Sequence, residues 1–347
     1  MGAWLLRRLL WMVPTLLGIT LVTFLAVHAA PGDLGARVGD AESASGGTEE
    51  RVLLREEALL DAPLWRQYLH FVGPFDLSPK GARAFGGSGE RAWHGLLAGD
   101  LGTEFQRPGV RVLPEIAKRL AVTAPLALLA TLVLFLVGVP LGVASALSAG
   151  GLVDRLSRGL LFALHSVPAW ALGLALVLAF GATGLAWLPV LGARSPDAET
   201  WSAGERALDL AAHLVLPLAT LSLPGLAYVA RQTRAAVLEV LDQDFVRAAR
   251  ARGLSERDVL VRHVLRNALL PIVTLFASIV PALLGGSVVV EALFGLSGLG
   301  SYAYEAMLAR DLNVILGVTT TSALATLLAI LAADAAVAWL DPRVRRG

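Results

Sequence analysis

The sequence predicts an all-α polytopic membrane protein with six transmembrane helices and a polar extracytoplasmic region after the first span. Three observations lead there. Hydrophobic residues fill 56% of the 347 positions and charged residues only 16%, against about 45–50% and 25% in soluble domains, and the mean hydropathy is +0.66. The apolar residues are gathered into six charge-free runs, each at least as long as the roughly 20 helical residues that cross a bilayer core of about 30 Å. Arginines flank alternate ends of those runs, the pattern left by retention of Lys and Arg on the cytoplasmic side.

The first run, Leu9 to Ala30, follows Arg7 and Arg8. A cleavable signal has an apolar core of about 7–15 residues, so the longer run here predicts an uncleaved anchor that its two arginines orient. Residues 31–118 form the extracytoplasmic region. Its Gly39–Glu50 stretch is rich in Gly, Ser and Glu and is expected to be a mobile loop. Leu64-Trp65-Arg66-Gln67-Tyr68-Leu69-His70-Phe71 carries enough aromatic surface to pack as a helix on the membrane surface.

The second and third runs, Leu120–Val153 and Gly159–Ala193, exceed span length, and their surplus falls in turn-forming ends at Ser148–Gly151 and Trp187–Pro189. Their helices are expected near 121–147 and 160–182. The remaining runs are Leu210–Ala230, Asn267–Val290 and Leu312–Ala333. With six spans counted, Arg7 and Arg8, Arg155 and Arg158, the eight arginines between the fourth and fifth runs, and Arg343, Arg345 and Arg346 all share one side. Both termini are therefore predicted to be cytoplasmic. The chain divides into residues 1–30, the extracytoplasmic region 31–118, a core at 119–341 with a cytoplasmic loop at 231–266, and a tail at 342–347.

Several function classes fall away at this level. The formal net charge of +1 gives no basic field for nucleic acid, and the lack of cysteine removes disulfides, thiolate metal sites and thiol nucleophiles. A phosphate-binding loop needs Gly-x-x-x-x-Gly-Lys-Ser/Thr, yet the only lysines are Lys80 and Lys118, outside any such setting. The chain is thus expected to be no enzyme, with no catalytic residue, no metal site and no bound cofactor of its own. His28, His165 and His213 fall on three different spans and read as hydrogen-bonded packing residues. Asp334, near the end of the sixth span, reads as a structural partner for Arg231 or Arg234 rather than as an ion relay.

Function becomes legible between Leu238 and Pro271. Leu238, Leu241, Phe245, Ala248 and Arg252 recur at helical steps, and Gly253 supplies the left-handed residue that ends such a helix. Ser255 is a plausible cap for a second helix whose inner face is expected to hold Leu254, Asp258, Val261, Leu265 and Ala268. Ala248 and Ala249 leave a smooth surface flanked by Arg247, Arg250 and Arg252, which suits docking into a partner's groove.

Ala248-Ala249 with Gly253, followed by Leu270-Pro271, resembles the cytoplasmic coupling loop of ABC importer permeases, whose pattern is Glu-Ala-Ala-x-x-x-Gly. The stretches Arg250–Arg257, Arg262–Leu269 and Leu340–Arg345 resemble the dipeptide, oligopeptide and nickel branch. Arg8–Thr15, Ala30–Asp33, Leu64–Leu69 and Gly99–Gly102 are similar to the first permease subunit of that branch, and Glu291–Gly300 to its outer loop after the fifth span. One position departs: Arg247 stands where the family has glutamate, so that residue's ion pair does not carry over.

The resemblance implies a type I ABC importer permease fold and a coupling loop made by Phe245, Arg247, Ala248, Ala249, Arg252, Gly253 and Leu254. It also implies a second homologous permease subunit, two cytoplasmic ABC ATPases that turn over ATP-Mg, and an extracytoplasmic binding protein delivering peptide through a plasma or inner membrane. Nickel is the alternative cargo. Two remoter alternatives are an ion-coupled secondary transporter and an intramembrane serine protease, the latter suggested by Gly295-Leu296-Ser297-Gly298.

Overall fold

The computed structural model describes residues 2–31, 59–74, 77, 95–107, 109–181, 184–185 and 187–340. The Gly39–Glu50 stretch, Lys80 and the 342–347 tail lie outside the described residues. Among the described residues the regular structure is helical: α1 (Gly2–Ala29), α2 (Leu64–Val72), α3 (Val112–Leu147), α4 (Leu152–Ser166), α5 (Ala169–Phe180), α6 (Ala203–Leu241), α7 (Asp244–Ala251), α8 (Arg266–Leu293), α9 (Leu299–Ala309) and α10 (Leu312–Leu340). Five stretches of the described residues are long and apolar enough to cross a membrane, and α4 with α5 make a sixth if that bent pair counts as one span.

The third span is the main correction to the sequence reading, which expected one helix near 160–182. Two helices stand there, meeting at 95°. The cause is local. Pro168 disfavours helical backbone at the residue before it, and Val167 accordingly adopts φ −86°, ψ 122°. Elsewhere the helices outrun the predicted spans, because charge-free length undercounts a helix whose ends reach into polar surroundings. Thus α3 starts at Val112, not near 121, and α6 spans 39 residues around Pro217 and Pro224. Ser202 caps α6 reciprocally with Glu205, so the polar start of that helix is well satisfied.

The chain forms two compact units. In the first, Leu126, Ala130 and Leu134 of α3 join Leu216, Leu226 and Val229 of α6 and Ile279, Leu283 and Val290 of α8 in one buried cluster. Backbones approach closely within it: a Cβ on Gly142 would sit 2.5 Å from the Ala230 carbonyl oxygen and 2.6 Å from Thr233 Cβ. Only glycine fits. A second cluster at the far end of α6 gathers Ala146, Ala236, Val237, Val246, Ala249, Val259, Val264, Ala268 and Ile272.

In the second unit the Leu64–Phe71 stretch is the helix that its composition predicted. It packs on α1, where Tyr68 donates to the Leu17 carbonyl at 2.8 Å and His28 Nε2 lies 2.9 Å from Gln67 Oε1. The same unit contains the segment 95–111, tied to α9 and to the start of α10. Glu104, buried, takes two bonds from Arg107 at 2.6 and 2.7 Å and one from the Tyr302 hydroxyl at 2.6 Å. Asp311, also buried, accepts from the Phe105 amide at 2.6 Å and the Val314 amide at 3.2 Å.

Candidate functional site

The segment between α6 and α8 is built outward from its buried side. The α6 helix stops at Leu241, and Gln243, in extended conformation, starts α7 in a new direction. The single helical face expected from Leu238 through Arg252 is therefore split at Asp242 and Gln243. Val246 and Ala249 turn inward and are fully buried, anchoring α7 in the cluster of Ala236, Val237, Val259 and Val264. Ala249 is thus a packing residue rather than part of an open surface. Its small size is what lets the short helix lie close to its neighbours.

The outward face holds Phe245, Arg247, Ala248, Arg252, Gly253 and Leu254, all exposed. Here an apolar pair, Phe245 at 41% and Leu254 at 38% exposure, flanks the alanine and two guanidinium groups. Arg247 pairs with Asp244 at 3.1 Å and Arg250 with Glu256 at 2.9 Å. Both pairs are solvent-exposed and so worth little to stability. Arg250, expected to be offered to a partner's acid, is instead held by Glu256 along the segment. Gly253 adopts φ +79° with open space where a Cβ would point, so its requirement is conformational and not steric. The Leu254 amide reaches back to the Ala249 carbonyl at 3.4 Å, closing the helix end.

Beyond the turn, Ser255 caps the next helix, accepting from the Asp258 amide at 3.1 Å. The inner face expected there forms only in part: Ala268 is buried and Leu265 packs against the same cluster, but Leu254 and Val261 are exposed. Val259–Leu265 is a π-helix, whose wider turn shifts register, and Val259, Val264, Ala268 and Ile272 are buried while Val261 is 54% exposed. The buried residues step by five, then four, then four. A search at 3.6-residue spacing misses that set.

Behind the segment, α4 and α6 are locked by a buried carboxylate that the sequence reading passed over. Asp154, on the first turn of α4, accepts from Arg234 Nε and Nη2 at 2.9 and 3.1 Å, from Ser145 Oγ at 2.6 Å and from the Gly150 amide at 2.9 Å. Arg158 adds a contact at 3.1 Å. The signal was present as a lone acid among the arginines after the second run. Arg234 is accordingly committed to Asp154 and not to Asp334, which lies half-buried in α10, and Arg231 has no partner among the described residues.

The Glu291–Gly300 stretch also gains a physical account. Thr123 Oγ1 donates to Glu291 Oε1 at 2.7 Å and accepts from the Leu299 amide at 2.7 Å, so the buried Glu291 organises the bend between α8 and α9. Gly298 lies against that carboxylate, leaving no room for a Cβ, and a Cβ on Gly300 would meet Val288 Cα at 2.6 Å. Ser297 is exposed on this bend. The histidines of the spans are engaged elsewhere: His165 Nδ1 lies 3.0 Å from the Pro224 carbonyl and His213 Nδ1 lies 2.9 Å from the Asp209 carbonyl. Both bond backbone, in keeping with packing roles.

Comparisons with known proteins agree on one family. The model for the binding-protein-dependent transport system inner membrane component matches residues 138–346. The oligopeptide transport system permease protein AppB of Bacillus subtilis (strain 168) is 34% identical over 347 residues, covering 99% of each chain. The dipeptide transport system permease protein DppB of Escherichia coli (strain K12) is 32% identical over 355 residues, and the glutathione transport system permease protein GsiC of Pectobacterium atrosepticum is 35% identical over 342 residues. Each alignment covers 98% of both chains. Among solved structures, a chain of the inward-facing MetNI methionine ABC transporter superposes with a TM-score of 0.52 at 18% identity, covering 66% of this chain and 97% of that one.

Proposed function

Because the chain belongs to the family of binding-protein-dependent transport system inner membrane components, we propose that it forms half of a peptide translocation pathway driven by partner ATPases docked at residues 244–255. It is a membrane-embedded permease subunit of the ABC importer class, with the type I importer permease fold and no ATPase of its own. ATPase and binding-protein partners belong to the class. The second half of the pathway is a homologous permease, two ATPases turn over ATP-Mg, and both termini face the cytoplasm. Peptide is favoured over nickel as cargo because relatives aligned over nearly the whole chain are named for oligopeptides, dipeptides and glutathione.

The observation that carries the docking reading is the division of α7 between two faces. Val246 and Ala249 anchor it in the buried cluster that α6, the π-helix Val259–Leu265 and α8 share, while Phe245 and Ala248, with Arg252 and Leu254 just beyond the helix, stay exposed. A helix rigidly braced behind and exposed in front suits the transfer of displacement from a docked protein to the spans, since packed interiors transmit strain. Cysteine crosslinkers placed at Phe245 and Leu254 are expected to capture a nucleotide-hydrolysing subunit in intact membranes. Labelling of the same positions by an impermeant reagent from outside the cell would overturn both the docking and the orientation.

A further inference from the structure

A cavity of about 430 Å³ opens between α4 and the C-terminal half of α6. Its lining combines apolar residues, including Leu161, Phe162 and Ala227, with the guanidinium groups of Arg158, Arg231 and Arg234. No carboxylate lines the cavity, and among the described residues the one paired with any of these three cations is Asp154. Asp154 takes Arg234 at 2.9 Å and Arg158 at 3.1 Å, while Arg231 is exposed and has no partner among the described residues. The wall therefore keeps an excess of two positive charges. Asp154 and Arg234 are held by their mutual bonds, but Arg158, with its side chain 57% exposed, and Arg231 remain open to the cavity.

We propose that this cavity binds a phosphate-bearing anion between Arg158 and Arg231, and that its occupant is the headgroup of an acidic phospholipid. Planar guanidinium forks match the paired oxygens of a phosphate diester. The lining decides between lipid and soluble phosphate. Phe162, 72% exposed, extends apolar surface beside the arginines, where an acyl chain is stabilised and a free inorganic ion gains nothing. The inference rests on the membrane placement of α4 and α6 that goes with the proposed function, and it is tested without any transport readout.

The assembled transporter, stripped of lipid and rebuilt in nanodiscs mixing phosphatidylglycerol with phosphatidylcholine, is released into native mass spectrometry. Wild type is expected to retain phosphatidylglycerol, and Arg231→Ala or Arg231→Glu to lower that retention about tenfold, the scale of one charge-assisted bond. Arg155→Ala, an exposed arginine at the same helix end that does not line the cavity, is expected to change it little. Because Arg231 has no partner among the described residues, its loss should leave the thermal midpoint unmoved. Equal retention in all four proteins overturns the site. Binding of labelled inorganic phosphate that needs Arg231, with no retained lipid, overturns the lipid assignment.

Discussion

Replacing Gly253 with valine is expected to separate ATP hydrolysis from uptake without unfolding the protein. The backbone there has φ +79°, and nothing lies within 4 Å of where a Cβ would point, so the cost is backbone strain alone. For an ordinary L-residue that strain is about 1–2 kcal/mol, and a β-branched residue is a worse case. Between two orientations of the turn, that is a ~5–30-fold shift away from the one that closes α7. The strain falls where α7 meets the capped Ser255, so the Phe245–Leu254 face is what moves. Asparagine tolerates left-handed backbone far better than valine, which makes Gly253→Asn the internal control. In proteoliposomes holding the full transporter, uptake per ATP hydrolysed should fall for Gly253→Val and stay near wild type for Gly253→Asn. Two results would refute the reasoning: unchanged coupling in the valine variant, or equal loss in both.

Three further outcomes follow from the buried polar groups. Arg234→Ala, which strips Asp154 of its main partner, should lower the thermal midpoint clearly more than Arg158→Ala, whose contact is made by a mostly exposed side chain; equal shifts would mean that the carboxylate is not held as described. Gly298→Ala forces a methyl onto the Glu291 carboxylate and should cost about 1–3 kcal/mol, read as a lower midpoint that Glu291→Ala partly restores by making space. Burial pushes the Asp311 carboxyl up to about 6 from an ordinary value of 3.8, so the folded state binds the proton more tightly than the unfolded one. Its contribution is full below about pH 4 and is lost as pH rises through about 6, up to about 3 kcal/mol. The midpoint difference between wild type and Asp311→Asn should change with pH across that window, and a flat difference would sink the assignment.

The spans were legible because hydrocarbon imposes a length and forbids charge, and both constraints are written in one dimension. Gly253 and Ser255 were legible for a related reason: a left-handed turn and a helix cap are local demands that one residue type meets. What stayed hidden depends on partners distant in sequence or on a changed period. The single helix expected across the third run is broken at Val167 and Pro168, a bend that a hydropathy run averages away. Ala249 looked equivalent to Ala248 until α7 had neighbours to choose between them. Val261 was assigned inward by an α-helical count that the π-turn does not keep. Asp154 and Arg234 lie 80 positions apart in sequence, beyond the reach of spacing arguments.

The elbow at Val167 and Pro168 carries a demand of its own. Neither α4, at 15 residues, nor α5, at 12, has the reach to cross a bilayer core of about 30 Å at roughly 1.5 Å per residue. Where the helix breaks, the last carbonyls of α4 lose the amides that a further turn would have supplied. Ser166 returns its hydroxyl to the Phe162 carbonyl, and the rest must be met by protein or by water, because oil offers no donors. A knee of this kind is costly against bare hydrocarbon, so its open carbonyls call for protein or water beside them.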